Sequence, residues 1–171
     1  MLRTILLAAA CTLASNTAAS ERGEPGGNSV GERYCVAALN ASGRSASIEA
    51  RGSRRVDLGD LTLVARDMPV GSFGIFMAAR AQGYVPGAGL GTLCLGGEIG
   101  YFRLAPQIRR VDRTGAFELE LDLEALPLGP ILQPAQPGQT WYFQAWFRDG
   151  LPGLGGLASH NFSDGVSVRF S

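Results

Sequence analysis

The chain has 171 residues, of which 46% are hydrophobic, and it contains 24 glycines and 9 prolines. Its 15 basic and 15 acidic residues give a formal net charge of zero, which excludes the strong positive field that nucleic-acid-binding and anionic-lipid-binding proteins use. The glycine and proline content favours many short strands joined by tight turns rather than helices.

Residues 1–20 have the three parts of a secretory signal peptide: a positive charge at Arg3, a short apolar stretch and a Thr-Ala-Ala triplet. The apolar stretch is shorter than the roughly 20 residues that a membrane span needs. We therefore predict cleavage near Ala19 or Ser20 and a secreted, periplasmic or cell-surface protein. A lipoprotein signal ending at Cys11 is the alternative.

The segment 21–30 is polar and rich in glycine, with no apolar periodicity, and is predicted to be a flexible linker. Residues 31–171 are long enough for one domain with its own core. Its first strand is predicted at residues 34–37, and short apolar or alternating runs follow at 46–50, 61–65 and 73–77.

The cleanest strand pattern lies at residues 117–124, where apolar and acidic residues alternate. This pattern predicts a half-buried antiparallel strand with a solvated outer face. The apolar set is Phe117, Leu119, Leu121 and Leu123, and the acidic set is Glu118, Glu120, Asp122 and Glu124.

The last third of the chain alternates predicted strands and loops. Prolines at 127–137 predict a loop, residues 140–149 an aromatic strand, and residues 150–156 a glycine-rich loop. Asn161-Phe162-Ser163-Asp164-Gly165 predicts a turn before a final strand. Eight or nine short strands at this spacing favour an all-β fold, an antiparallel β-sandwich.

Loss of the signal peptide leaves two cysteines, Cys35 and Cys94. Disulfides persist in extracytoplasmic compartments, so we predict that they pair, with two buried free thiols as the alternative. His160 is the only histidine, so no Cys/His cluster suggests a metal, and no motif suggests a cofactor.

The aromatic strand supplies the best candidate surface. Alternation places Trp141, Phe143, Ala145 and Phe147 on one face, which is predicted to be core. The opposite face carries ring and hydrogen-bonding side chains suited to stacking on a sugar or anchoring a protein. These ligand-surface candidates are Tyr142, Gln144, Trp146 and Arg148. The alternative is that Trp146 packs against a neighbouring strand or loop, and that Arg148 pairs with Asp149 or Asp164.

Two catalytic interpretations are weaker than structural ones. The acidic row has the side-chain spacing of a glycosidase carboxylate pair but lacks an aromatic cleft beside it. His160 with Ser159 or Ser163 lacks any surrounding nucleophile motif. We therefore predict that the protein is not an enzyme.

Several short motifs occur in a fixed order along the chain. They are Tyr34-Cys35-Val36, Leu93-Cys94-Leu95-Gly96-Gly97, Thr140-Trp141, Phe143-Gln144, Trp146, Arg148-Asp149 and Asn161-Phe162-Ser163-Asp164-Gly165-Val166-Ser167-Val168. Together they resemble an uncharacterised exported domain that recurs in secreted and cell-surface proteins of myxobacteria and planctomycetes. The resemblance covers about residues 31–170. It implies an extracytoplasmic β-rich module with a Cys35–Cys94 bridge, and it implies no known activity.

The expected function is that of a non-catalytic exported module at or outside the cell envelope, which is adhesive or binds a carbohydrate or protein surface. The alternative is a structural or assembly domain whose partner is another envelope protein. No nucleic-acid partner and no membrane span in the mature chain are expected. Exposed rings at Tyr142 and Trp146 would favour binding, whereas buried rings would favour the structural alternative.

Overall fold

The structure is a computed structural model, and it describes residues 28–150 and 158–171. The predicted signal peptide and most of both the predicted linker and the predicted loop at 150–156 lie outside these ranges. The described residues form twelve strands and one short 3-10 helix, Ala105–Gln107. The strands are β1 (Ser29–Val30), β2 (Glu32–Tyr34), β3 (Ser47–Arg51), β4 (Thr62–Arg66), β5 (Phe73–Ala88), β6 (Gly91–Tyr101), β7 (Arg109–Arg110), β8 (Phe117–Glu120), β9 (Leu126–Leu128), β10 (Ile131–Gln133), β11 (Thr140–Gly150) and β12 (Ala158–Arg169).

The strands form a small sheet, a large sheet and a separate hairpin of β9 and β10. The small sheet has the order β1-β3-β4-β8, and the large sheet has the order β2-β12-β11-β5-β6 with β7 also paired to β5. Neighbouring strands are antiparallel in both sheets. The predicted all-β antiparallel sandwich is therefore confirmed.

The main core lies between the inner faces of the two sheets. The predicted inner set of β11, Trp141, Phe143, Ala145 and Phe147, is 0% exposed throughout, which confirms the alternation deduced from the sequence. Apolar side chains of β3, β4 and β8 meet this face from the small sheet. The core also includes Ile48, Leu63, Ala65, Phe76, Phe117, Leu119, Val166, Val168 and Phe170.

The acidic row has the predicted orientation on the small sheet. Burial alternates over residues 117–124, with the four acidic side chains exposed. The paired strand β8 nevertheless ends at Glu120, because Asp122 begins a turn in which its carbonyl accepts a hydrogen bond from the Ala125 amide at 3.1 Å. The predicted strand is thus correct in its faces and twice as long as β8, which has four residues.

The strands are more numerous and longer than predicted. β5 spans 16 residues, and β6, β11 and β12 span 11, 11 and 12 residues. Gly83 and Gly87 lie inside β5 at points where the register between β5 and β6 shifts. The proline-rich segment, predicted to be a loop, contains the β9–β10 hairpin.

The predicted turn at residues 161–165 is wrong, because this segment lies inside β12. It forms a bulge: Gln144 pairs with Gly165 and Trp146 pairs with Phe162, so two residues of β12 oppose one of β11. Polar side chains replace the ladder bonds that the bulge removes. The Ser163 hydroxyl accepts a hydrogen bond from the Ala145 amide at 2.9 Å.

The predicted start of the domain is also corrected. Residues 29–30 of the predicted linker form β1, which pairs with Arg51 and Ala50 of β3. The predicted strand at 34–37 is instead β2, which ends at Tyr34. Cys35 then has a positive φ of 66°, a conformation that takes the chain out of the sheet.

The distal half of the β5–β6 hairpin folds back over the outer face of the large sheet. We call this element, residues 81–96, the flap. Two glycines allow the bend, because a Cβ at Gly83 or Gly96 would overlap the backbone of the facing strand. At the flap turn, the Leu90 amide donates to the His160 carbonyl of β12 at 2.9 Å. Leu95 is buried with Met77, Ala79 and Phe162 in a second apolar cluster.

The flap is linked covalently to the start of the domain. Cys94 of the flap forms a disulfide with Cys35, which closes a loop of 59 positions, and their Cα atoms are 6.4 Å apart. The predicted pairing is therefore confirmed, and it indicates an oxidising, extracytoplasmic environment. Within the described ranges, no helix has the length and apolar character needed to cross a membrane.

Candidate functional site

Four side chains form a block on the outer face of the β11–β12 pair. Trp146 lies directly opposite Phe162, and Arg148 lies directly opposite His160. Directly opposed residues of an antiparallel pair share a face, so the register alone brings these four side chains together. We call the solvent-accessible part of this block, Trp146, Arg148 and His160, the platform.

The rings of the platform contact one another in a row. The Trp146 and His160 ring centroids are 5.7 Å apart with an interplanar angle of 31°, and the His160 ring meets Phe162 edge-on at 5.6 Å. The Arg148 guanidinium lies 5.7 Å from the centroid of the Trp146 ring. A partly cationic surface with two accessible rings, Trp146 and His160, results.

Burial decreases along this block from the flap towards the β11–β12 hairpin end. Phe162 is buried in the cluster beneath the flap, Trp146 and His160 are half-buried, and Arg148 is exposed. The flap covers the outer face only as far as His160, where its turn meets β12. The approach is close, because a Cβ at Gly89 would lie 2.6 Å from His160 ring atoms. Of the four predicted surface residues, Trp146 is thus half-exposed and Arg148 is exposed.

Gln144 does not belong to a ligand surface, contrary to the prediction. It is 0% exposed, because the flap covers it. Its carbonyl oxygen accepts a hydrogen bond from the Cys94 amide at 2.9 Å, and its nitrogen donates to the carbonyls of Thr92 and Ser163 at 2.9 and 2.8 Å. The Gln144 side chain therefore links β11 to the β12 bulge and to the flap through hydrogen bonds.

Tyr142 is only a minor part of the accessible face. It is half-buried and meets the Tyr34 ring edge-on, with centroids 5.7 Å apart. The Tyr34 hydroxyl donates to the Cys94 carbonyl at 3.2 Å. Burial raises the pKa of Tyr34 above its usual range, and the nearby Tyr142 and Asp164 groups add to this increase. Both tyrosines serve the attachment of the flap.

Arg148 has neither of the ion-pair partners considered from the sequence. The Asp149 carboxylate accepts hydrogen bonds from the Ala41 amide and the Asn161 side chain, both at 3.0 Å. Asp164 forms an ion pair with Arg33 instead. Stacking on Trp146 is thus the contact that positions the Arg148 guanidinium.

Asp164 ties three strands together and has a structural role. Its carboxylate pairs with Arg33 of β2 and accepts a hydrogen bond from the Ile48 amide of β3 at 2.7 Å. Burial raises the pKa of this carboxyl, and this effect exceeds the opposing effects of the Ile48 hydrogen bond and the Arg33 charge. No sequence pattern predicts this link, because the partners of Asp164 are 131 and 116 positions away.

Two of the side chains considered for catalysis, Ser163 and His160, pack against or hydrogen-bond to other parts of the fold. Ser163 is buried, and its hydroxyl donates to the Asp164 carbonyl at 2.6 Å. The His160 ring packs between Trp146 and Phe162. The described residues contain no group of three His, Cys, Asp or Glu side chains arranged to hold a metal ion.

Sequence reasoning missed an apolar groove of about 270 Å³ beside the β9–β10 hairpin. Tyr101 and Leu104 line one side of it, and Ile131 and Leu132 line the other. These four side chains are 44%, 62%, 49% and 60% exposed, an unusual concentration for a solvated surface. The apolar pair at 131–132 was the available signal, but its proline-rich surroundings suggested a loop.

Comparison with known proteins identifies no relative of this chain. No known protein-family model matches the chain, and no curated protein or solved structure matches it.

Proposed function

We propose that this protein is a non-catalytic exported module that binds a carbohydrate surface through the platform. The observation that carries the proposal is the half-exposed Trp146 ring, which contacts both the His160 ring and the Arg148 guanidinium. Indole rings present a rigid apolar face for stacking, and a guanidinium beside it supplies hydrogen-bond donors for hydroxyl groups. Adhesion at or outside the cell envelope would follow from such binding.

The energetics of Arg148 are compatible with ligand access to the indole. A cation–π contact at an exposed site contributes only about 0.5–1 kcal/mol. A sugar ring can therefore displace the guanidinium from the Trp146 face at small cost, and Arg148 then gains hydroxyl partners. Trp146 itself is fixed by Phe162 and His160, so little conformational freedom is lost on binding.

The proposal includes export through the predicted signal at residues 1–20 and membership of the exported β-rich domain family that the motifs resemble. The Cys35–Cys94 disulfide supports an extracytoplasmic location. Mass spectrometry of the processed protein tests the export step. A new N-terminus next to Ala19 or Ser20 is expected, whereas a lipid-modified Cys11 would establish the lipoprotein alternative.

Binding of the purified protein to a panel of insoluble polysaccharides tests the platform. Trp146→Ala is expected to weaken binding at least tenfold, and Arg148→Ala by a smaller factor. Tyr84→Ala is the matched control, because Tyr84 is a 74% exposed ring on the outer side of the flap. Near-ultraviolet circular dichroism confirms that each variant is folded.

Each outcome of this binding experiment either supports or rejects part of the proposal. Binding by the wild type and by Tyr84→Ala, but not by folded Trp146→Ala, supports the platform. Equal binding by wild type and Trp146→Ala would reject the platform as the binding site. No binding by any variant would reject the carbohydrate proposal for the polysaccharides tested.

A structural or assembly domain is the second candidate function, and the apolar groove favours it. Burial of Gln144 and partial burial of Tyr142 also fit this alternative, because two of the four predicted surface residues serve the fold. Under the first proposal, groove variants should leave the affinity of each single platform for a short oligosaccharide unchanged. Under the second, they should disrupt association while Trp146→Ala does not.

A further inference from the structure

The apolar groove has an opposite charge on each of the two chain segments that form it. Residues 101–107 form one segment and carry Arg103 beside Leu104, whereas residues 122–132 form the other and carry Asp122. Both charged side chains are exposed. In the described part of the chain, Arg103 forms no ion pair, and Asp122 accepts only the local Glu124 amide at 3.0 Å.

This arrangement is self-complementary. In a two-fold dimer, each residue that contacts a second residue is contacted in return by the copy of that second residue. A two-fold axis running between the two segments would set Arg103 of one copy facing the acidic segment of the other copy, and Asp122 facing its basic segment. The same rotation brings the exposed leucine and isoleucine side chains of both copies together, away from water.

We propose that the groove is the interface of a homodimer, in which Arg103 pairs with the second copy's Asp122 around an apolar centre. This inference is independent of the platform, whose residues lie on β11 and β12. A dimer would present two platforms at once, so attachment to a repetitive polysaccharide would gain avidity without any change at either site. Rim charges of this kind set partner specificity more than affinity.

Burial of the groove against a second copy is favourable because it removes apolar surface from water. The four apolar side chains of the groove, 44–62% exposed on a single chain, remain in contact with water at a cost of about 25 cal/mol for each Å². A second copy supplies an identical apolar surface, together with charges in the reverse order.

Sedimentation velocity and light scattering of the purified protein, over about 1–300 µM, test the proposal. The protein is expressed from its complete coding sequence with its native processing. A concentration-dependent shift from one to two copies is expected. Arg103→Glu and Asp122→Arg should each weaken association at least tenfold, because each places like charges together at the interface.

The double variant Arg103→Glu/Asp122→Arg is the decisive case, since it restores opposite charges with their positions exchanged. It should dimerise as the wild type does. Arg54→Glu is the matched control, because Arg54 is exposed and lies outside the groove. Leu104→Ser removes an exposed apolar side chain without burying a charge, and should also weaken association if the groove is the interface.

Each outcome either supports or overturns the proposed homodimer interface. A wild type that remains monomeric at the highest concentration would overturn the proposal and leave the groove to a different protein. Dimers that persist in both single variants and in Leu104→Ser would show that another surface mediates association. Recovery of the dimer in the double variant would establish the pairing, whatever the polysaccharide experiments show.

Discussion

Replacement of Gln144 by leucine should release the flap from the large sheet. The substitution keeps a side chain of similar size and removes all three hydrogen bonds that the amide makes to Cys94, Thr92 and Ser163. Cys94 and Ser163 are each 0% exposed, so their freed backbone groups have no water to bond. Thr92 is only half-buried, and its carbonyl regains solvent more easily.

The expected destabilisation follows from this difference in burial. A buried polar group left without a partner costs about 1–3 kcal/mol, and a half-buried one costs less. Leucine gains some apolar burial in return. We therefore expect Gln144→Leu to lower the free energy of unfolding by about 2–4 kcal/mol.

Urea unfolding monitored by tryptophan fluorescence and far-ultraviolet circular dichroism measures this change. Gln82→Leu is the matched control: it makes the same chemical change at an exposed flap position, where the effect should stay within about 0.5 kcal/mol. Hydrogen exchange at the Cys94 amide gives a local readout and should accelerate in Gln144→Leu. A loss below about 0.5 kcal/mol, equal to that of the control, would refute the role of the amide as a link between β11 and the flap.

Two further predictions concern the attachment of the flap. The double variant Cys35→Ser/Cys94→Ser should have a free energy of unfolding lower by about 4 kcal/mol, the value that the loop-entropy model gives for a 59-position loop. A urea midpoint of the wild type that does not change when reductant is added would contradict this. Burial raises the pKa of Tyr34 in the folded protein, so the stability that its neutral phenol supports is complete below about pH 10, the unfolded value, and declines above it. Tyr34→Phe should remove much of this alkaline decline in urea midpoints measured between about pH 9 and pH 11, and an unchanged slope would count against it.

The sequence predicted those features that depend on local periodicity. The alternation of β11 identifies its inner face correctly, because a buried strand face requires apolar side chains at every second position. The same logic holds for the acidic row, where Glu118 and Glu120 are exposed as expected. The disulfide followed from compartment and count, since the proposed mature chain has only one possible pair.

The wrong predictions concern side chains whose surroundings are supplied by residues distant in the sequence. Gln144 lies on the outward face, and the alternation placed it there correctly, but the flap that covers it comes from residues 50 and more positions earlier. Asn161-Phe162-Ser163-Asp164-Gly165 has turn composition because a bulge needs polar side chains to replace missing ladder bonds. Gly165 is small because a Cβ there would overlap the Tyr34 ring, not because the chain turns.

The position of the platform follows from the reach of the flap. Along the outer face of β11, Tyr142 and Gln144 serve flap attachment, Trp146 lies at the boundary, and Arg148 is exposed. The boundary occurs where the flap turn meets β12, at the hydrogen bond between the Leu90 amide and the His160 carbonyl. Gly89 is needed at this turn, because its φ is +68° and a side chain would collide with the His160 ring. The turn therefore ends beside His160, and this arrangement leaves Trp146 half-exposed while Tyr142 and Gln144 contribute to stability.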